Sequence, residues 1–122
     1  MKAAVLIFVG GGLGSVVRFW LSKWVSSFHQ INFPFGTLAV NVIACFVLGL
    51  VIGLADHKQF LSADARVFWA IGFCGGFSTF STFSAETLIL LQQPATGSGM
   101  TYVVASVVLC LGAVMLGMML AR

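Results

Sequence analysis

Charged side chains are scarce in this 122-residue sequence, in which three acidic and six basic residues make up 7% of the chain while 60% is hydrophobic. A soluble domain of this size needs many more charges to cover its surface. The basic residues form no stripe, which argues against a nucleic-acid-binding surface. The composition therefore predicts a protein whose solvent is a lipid bilayer.

Cysteine is also sparse, and Cys45, Cys74 and Cys110 stand far apart within apolar stretches. No CxxC motif or Cys/His cluster indicates a metal site, and three thiols cannot form a full disulfide framework. We interpret all three as small buried hydrophobic side chains. The sequence also lacks any constellation of histidine, acid and nucleophile, so it does not indicate an enzyme.

Apolar residues are present in four runs of about 20 residues, the length needed to cross about 30 Å of hydrocarbon. The predicted spans are residues 3–25, 35–55, 67–91 and 100–121. They predict an all-α fold with a single four-helix transmembrane domain over residues 1–122. Because no internal repeat is visible, any two-fold symmetry must come from a second copy of the chain.

Basic residues give little information on orientation. An even number of spans places both termini on one side, together with four of the six basic residues. The four are Lys2, Lys58, Arg66 and Arg122, and the other side holds Arg18 and Lys23. This weak bias leaves two possibilities open, a single orientation and dual insertion in both orientations.

The third span is unusual because residues 72–84, in its middle, are rich in glycine, hydroxyl and phenylalanine side chains. Gly75 and Gly76 invite a break in the helix, which at membrane depth is tolerated only beside protein or water. Freed N–H groups and hydroxyls can approach an anion, and freed carbonyls a cation. The alternative is a continuous helix with hydroxyls bonded to their own turn. The density of hydroxyls favours the break, since burying them unpaired is costly.

Phe77, Phe80 and Phe83 recur at intervals of three, which predicts that they stack along one helical face. Such a row often serves only packing in lipid. The functional alternative relies on the electropositive ring edges, which can meet a partly dehydrated anion.

Polar residues also recur in the other spans. Asn41 lies one turn from Thr37, and its amide suits either a small, hard anion or a hydrogen bond between helices. Tyr102, Ser106 and Cys110 recur at intervals of four and predict a polar stripe on the fourth helix. Hydrogen bonding between helices remains a competing interpretation of that stripe.

Two charges fall inside predicted spans. Arg18 either draws anions to a vestibule or anchors the first helix at the interface. Glu86, in the later part of the third span, either caps a polar path or reaches the headgroups. Two GxxxG pairs, Gly10 with Gly14 and Gly49 with Gly53, predict close helix contacts.

Three stretches, residues 10–18 (GGGLGSVVR), 36–41 (GTLAVN) and 72–83 (GFCGGFSTFSTF), resemble in order and spacing the motifs of the Fluc (CrcB) fluoride channel family. The third motif is highly specific, and the resemblance covers the whole chain. It implies a passive, selective channel that exports fluoride across a bacterial inner (plasma) membrane and so relieves fluoride toxicity. It further implies an antiparallel, dual-topology homodimer with two pores and a central structural sodium ion.

The resemblance also implies roles for the matching positions. The pore phenylalanines would be Phe80 and Phe83, with Asn41 as a hydrogen-bond donor to fluoride. Other polar residues assigned to the pore are Thr37, Ser81, Thr82, Glu86, Tyr102, Ser106 and Cys110. Cys110 stands where the family usually has a hydroxyl residue, and Val114 continues the stripe without a donor.

Arg18 would match a vestibule arginine. Backbone carbonyls of Gly75 and Ser78 would hold the sodium ion, two from each subunit.

Two other classes remain as alternatives. A small four-helix multidrug transporter needs a membrane-embedded carboxylate, generally in its first helix, but the first span here holds Arg18 and no acid. A non-transporting membrane scaffold would use the same polar residues only for helix packing.

Overall fold

The computed structural model describes residues 1–57, 60–94 and 97–122 of the chain. Each regular element in these residues is a helix, which confirms the predicted all-α fold. The elements are α1 (Lys2–Ser26), α2 (Phe35–His57), α3 (Ala63–Arg66), a π-helix (Val67–Phe73), α4 (Cys74–Phe77), α5 (Phe80–Leu91) and α6 (Ser98–Leu120).

Among the described residues, three stretches of helix are long and apolar enough to cross a membrane, namely Lys2–Ser26, Phe35–Asp56 and Ser98–Leu120. The fourth crossing is composite, because α3, the π-helix, α4 and α5 follow one another with a short interruption before α5. The 12 residues of α5 extend about 18 Å, which is too short to cross alone. Taken together, the segments from Ala63 to Leu91 form the third crossing of a multi-pass membrane protein.

Glycines set the contact between α1 and the third crossing. A methyl group on Gly14 would lie 2.3 Å from the carbonyl oxygen of Phe73, and one on Gly76 would lie 2.2 Å from that of Gly11. No side chain fits between these backbones. The close approach predicted from the first GxxxG pair is therefore confirmed.

The second GxxxG pair places α2 against α6. A methyl group on Gly49 would lie 2.2 Å from the Val114 carbonyl oxygen, and one on Gly53 would lie 2.9 Å from that of Met118. The contacts advance in the same direction along both helices, so α2 and α6 run parallel. Gly117 on α6 makes a reciprocal approach to the α2 backbone.

The apolar core lies where α1, α2 and the third crossing meet. Val40, Ala44 and Phe77 form its centre, with Leu21 and Phe73 packed against them. Phe77 is 2% exposed, and its ring stacks on that of Phe73 at 5.5 Å between centroids.

The predicted phenylalanine row is wrong in one member. Phe77 faces the core, whereas Phe80 is 79% exposed. The chain leaves the helix between these two residues, so the interval of three no longer keeps them on one face.

Polar contacts join three segments at one end of the bundle. Lys2 forms an ion pair with Asp64 at the start of the third crossing. Arg66 donates to the carbonyl of Ala55 near the end of α2, at 3.0 Å. Lys58, which the charge pattern assigns to the same side, lies outside the described residues.

Candidate functional site

The third crossing is interrupted at Ser78 and Thr79, between α4 and α5. Ser78 has φ −79° and ψ 158°, and Thr79 has φ −151° and ψ 116°, so both are extended. The predicted break is confirmed, but its predicted place at Gly75 and Gly76 is wrong. Both glycines remain helical, and Gly76 serves the contact with α1.

Asn41 on α2 replaces the backbone hydrogen bonding lost at the break. Its Oδ1 accepts from the Thr79 N–H at 2.9 Å, and its Nδ2 donates to the Thr79 carbonyl at 3.3 Å. The Thr79 hydroxyl in turn caps α5 by accepting from the Thr82 N–H at 3.3 Å. Asn41 therefore links α2 to the third crossing. This agrees with the interpretation of its amide as a hydrogen bond between helices. An amide nitrogen carries two hydrogens, so one remains for another acceptor.

A cavity of about 250 Å³ opens beside the break. Its lining comes from the break, α2, α5 and α6. The lining residues are Asn41, Cys45, Ser78, Thr79, Phe80, Phe83, Ser106, Val107 and Cys110. The structure thus brings together around one cavity Asn41, both predicted pore phenylalanines and two members of the α6 stripe.

The two cavity phenylalanines pack against each other. The ring centroids of Phe80 and Phe83 lie 5.6 Å apart with the planes tilted by 40°. Phe83 also contacts Tyr102, at 5.1 Å between centroids. Phe83 therefore lies between the cavity and the buried tyrosine.

Glu86 accepts two hydrogen bonds inside the bundle. The Thr37 hydroxyl donates to one carboxylate oxygen at 2.8 Å, and the Tyr102 hydroxyl donates to the other at 2.8 Å. Tyr102 is 0% exposed, and Phe33 packs edge-on against its ring. Glu86 also lines a second cavity of about 250 Å³ beside the α1–α2 connector, together with Asn32 and Phe33.

Ser106 is the buried polar group whose hydrogen bonding is incomplete at the first cavity. It is 7% exposed, and its hydroxyl finds no hydrogen-bond partner among the described residues. Burying an unpaired hydroxyl is costly. This donor is therefore available to an occupant of the cavity.

Polar residues on α2 and α6 face each other at matched heights. Gly49 of α2 lies opposite Val114 of α6, and the two helices are parallel. Each step of four residues from this pair toward the N-terminus is about one turn on both helices. The steps pair Cys45 with Cys110, Asn41 with Ser106, and Thr37 with Tyr102. The last pair is confirmed by its shared hydrogen bonds to Glu86. We term these three pairs the polar ladder.

Two site residues are missed by the sequence reasoning. Thr79 supplies both the backbone that Asn41 binds and the cap of α5, but its cap signal is hidden among neighbouring hydroxyl residues. Cys45 lines the cavity, and the interval of four that relates Thr37 to Asn41 reaches it on the next turn. That interval was the signal that could have found it.

Some predicted pore residues lie outside the first cavity. Ser81 and Thr82 are exposed on α5, where their hydroxyls lie 3.2 Å and 3.1 Å from that of Thr79. Arg18 is half-buried on α1. Farther along α5, the Ser84 and Thr87 hydroxyls bond back to their own helix.

Gly75 and Ser78 line another cavity, of about 170 Å³, which Cys45 also borders. In a continuous helix the Gly75 carbonyl would accept from the Thr79 N–H, but that group donates to Asn41. Ser78 places its carbonyl in extended backbone, while its hydroxyl donates to the Cys74 carbonyl at 2.8 Å. Within the described residues no group of three or more His, Cys, Asp or Glu side chains could hold a metal. The carbonyls of Gly75 and Ser78 are thus oxygen donors that this region offers to a hard cation.

Comparison with known proteins agrees with the motifs and the fold. Residues 5–118 match the family described as CrcB-like protein, Camphor Resistance (CrcB). Similar proteins include three named fluoride-specific ion channel FluC, from Phocaeicola vulgatus, Rhizobium etli and Pyrococcus abyssi, which are 44%, 40% and 43% identical over 122 residues. The alignments cover 100% of this chain and 100%, 98% and 98% of those proteins. A family match over nearly the whole chain, with relatives this similar at full length, shows that the chain belongs to the CrcB family.

Proposed function

We propose that this chain forms a passive, selective fluoride channel of a bacterial inner (plasma) membrane, through which fluoride leaves the cell before it becomes toxic. Full-length relatives carry the name of fluoride-specific ion channels. The observation that carries the proposal is the cavity beside the broken third crossing, where neutral hydrogen-bond donors and two phenyl rings meet.

Neutral donors at this cavity suit a small, strongly hydrated anion. The Ser106 hydroxyl has no partner among the described residues, and Asn41 keeps one amide hydrogen after binding Thr79. An ion that accepts from both groups regains part of the hydration it loses in the membrane. Because neither donor is charged, binding stays weak enough for the ion to leave again, as conduction requires.

Phe80 and Phe83 supply the apolar part of the same site. A phenyl ring has an electropositive edge, which attracts an anion far less strongly than a full charge does. A larger halide such as chloride makes poorer hydrogen bonds with the same donors. We assign selectivity to these two rings together with the donors.

The route would continue past Glu86 to the second cavity at the α1–α2 connector. Thr37 and Tyr102 both donate to Glu86 in this structure. An arriving anion must therefore compete with the carboxylate for these two hydroxyl protons. Ser81, Thr82, Cys110 and Arg18 would act along or at the ends of the route.

We also propose a structural sodium ion held between two antiparallel copies of the chain. The break frees the Gly75 carbonyl from its helical partner and leaves the Ser78 carbonyl in extended backbone. No atom of the described residues lies within 4 Å of where a side chain on Gly75 would begin, which leaves space for a second copy. Two carbonyls from each copy would hold the ion, whose charge makes the surrounding interior more favourable for anions.

Fluoride efflux from liposomes, followed with a fluoride electrode and compared with chloride efflux, tests the proposal. We expect Phe83→Ile to lower fluoride efflux at least about tenfold, equivalent to about 1.4 kcal/mol, because it removes the ring edge at the cavity. The matched control is Phe8→Ile, since Phe8 is 83% exposed on α1 and does not line the cavity, and this variant should keep wild-type efflux.

Three results would contradict the channel. Chloride efflux equal to that of fluoride would exclude selectivity. Proton exchange driven by ethidium would instead indicate a multidrug transporter. A wild-type protein that passes neither halide would favour a scaffold.

A further inference from the structure

Two thiols face each other on the polar ladder. Cys45 and Cys110 lie one turn from the closest contact between α2 and α6, where a methyl group on Gly49 would lie 2.2 Å from the Val114 carbonyl oxygen. Because the helices are parallel and this tightly packed, equal steps of four residues keep the two cysteines opposite each other. Both thiols are free.

The thiol pair belongs to the wall of the first cavity, with Asn41 and Ser106 one turn away. Both cysteines are half-buried, so a small solute in the cavity can reach them. Neither takes part in the hydrogen bonds that support the break. The proposed fluoride route includes Cys110 but gives no role to Cys45, so it does not explain why two thiols face each other here.

We propose that Cys45 and Cys110 bind a soft metal cation that accepts two ligands, of the class of Hg²⁺, Ag⁺ and Cu⁺, and that the bound metal obstructs the cavity. Thiolate sulfur selects soft metals. Since the described residues offer no group of three or more His, Cys, Asp or Glu side chains, metals that need four protein ligands are excluded. With Hg²⁺, two S–H bonds break, two metal–sulfur bonds form, two protons are released, and no electron is transferred.

A competing pair consists of Cys45 and Cys74, which line the 170 Å³ cavity. Cys74 is 4% exposed and lies in the third crossing rather than on α6. Its burial limits access, and it does not belong to the tight α2–α6 contact. The geometry therefore favours Cys110 as the partner of Cys45.

Mercury retention tests the site without any measurement of transport. The purified chain is loaded with HgCl₂, washed with excess free cysteine, and its metal content is measured by mass spectrometry. Two protein sulfurs hold mercury against a monothiol far better than one. We expect about one mercury per chain in wild type and in Cys74→Ala, and at least tenfold less in Cys45→Ala, Cys110→Ala and the nearly isosteric Cys110→Ser.

Retention that persists in Cys110→Ala and Cys110→Ser but is lost in Cys74→Ala would overturn the assignment in favour of the other pair. Equal retention in wild type and all single variants would overturn a two-thiol site altogether. Gel filtration of each variant verifies that it is folded, and the two Cys110 substitutions keep the test valid if one of them fails.

The proposal that bound metal obstructs the cavity rests on the proposed fluoride channel. It is therefore tested by a separate measurement, that of fluoride efflux. Each liposome sample is compared with its own untreated fluoride efflux. We expect mercury to lower this efflux at least tenfold in Cys74→Ala and to have little effect after the thiol wash in Cys110→Ser. Retained mercury with unchanged efflux would overturn the obstruction, whereas absent efflux in all untreated samples would overturn the fluoride channel and leave the metal site standing.

Discussion

At the level of single residues, a polar group inside the membrane either satisfies the backbone or remains available as a donor. The Ser84 and Thr87 hydroxyls bond back to their own helix, as hydroxyls in helices often do. Ser106 is buried with a hydroxyl that has no partner among the described residues. Asn41 does both, because it binds the backbone of Thr79 and still lines the cavity.

Replacement of Asn41 by alanine tests its part in holding the break. The change leaves the N–H and carbonyl of Thr79 without their described partner inside the membrane. An unsatisfied buried backbone group costs about 1–3 kcal/mol, so we expect the free energy of unfolding to fall by about 2 kcal/mol or more. Reversible unfolding in mixed detergent micelles measures it.

The matched control for this variant is Asn32→Ala. Asn32 is an exposed amide in the α1–α2 connector, and its loss should change stability by less than about 0.5 kcal/mol. If the two variants were equally stable, Asn41 would not hold the break together.

Among the helices, glycine spacing decides which backbones approach closely. Gly14 of α1 packs against the backbone at Phe73 of the third crossing, whereas no atom of the described residues lies within 4 Å of where a side chain on Gly12 would begin. The helical segment before the break takes part in this packing, since α4 directly continues the π-helix and Gly76 lies against the backbone of Gly11. Contacts with α1 thus fix the position of α4 next to the interruption.

Gly14→Ala and Gly12→Ala form a matched pair on one helix. The added methyl group at Gly14 would lie 2.3 Å from the Phe73 carbonyl oxygen, and overpacking of this kind costs about 1–3 kcal/mol. At Gly12 the methyl group meets open space, so the better helix propensity of alanine should add up to about 1 kcal/mol. Opposite shifts of the unfolding free energy are expected, and a loss at both positions would contradict the packing argument.

Across the entire bundle, a single chain leaves large apolar side chains uncovered, including Ile71 and Phe80 of the third crossing. Lipid covers much of this surface in a multi-pass protein. Gly75, next to the break, is also exposed. A cation held by Gly75 and Ser78 carbonyls needs more oxygen ligands than one chain provides, which is why we link the sodium proposal to a second copy.

Native mass spectrometry of the protein released from detergent tests this assembly. We expect a dimer whose mass includes one tightly held sodium ion after exchange into potassium buffer. A monomer, or a dimer free of sodium, would contradict the proposal.

Orientation needs a separate measurement, because two copies can also pair in parallel. Labelling of a C-terminal tag on intact and permeabilised cells should find the tag on both faces of the membrane in about equal amounts. A tag exposed on one face only would exclude dual insertion. The weak bias of the basic residues is compatible with either result.

Composition and local spacing were sufficient to predict the four crossings, the two GxxxG contacts and the stripe on α6. These features depend on the bilayer thickness and on the helical repeat, which act on each segment independently. The place of the break could not be predicted in this way, because glycine permits a turn without requiring one. Gly76 stays helical where α1 packs against it, and the chain opens at Thr79, where Asn41 of another helix offers replacement hydrogen bonds. Likewise, the pairing of Cys45 with Cys110 exists only because α2 and α6 pack in parallel, since spacing within one helix carries no information about the register of its neighbour.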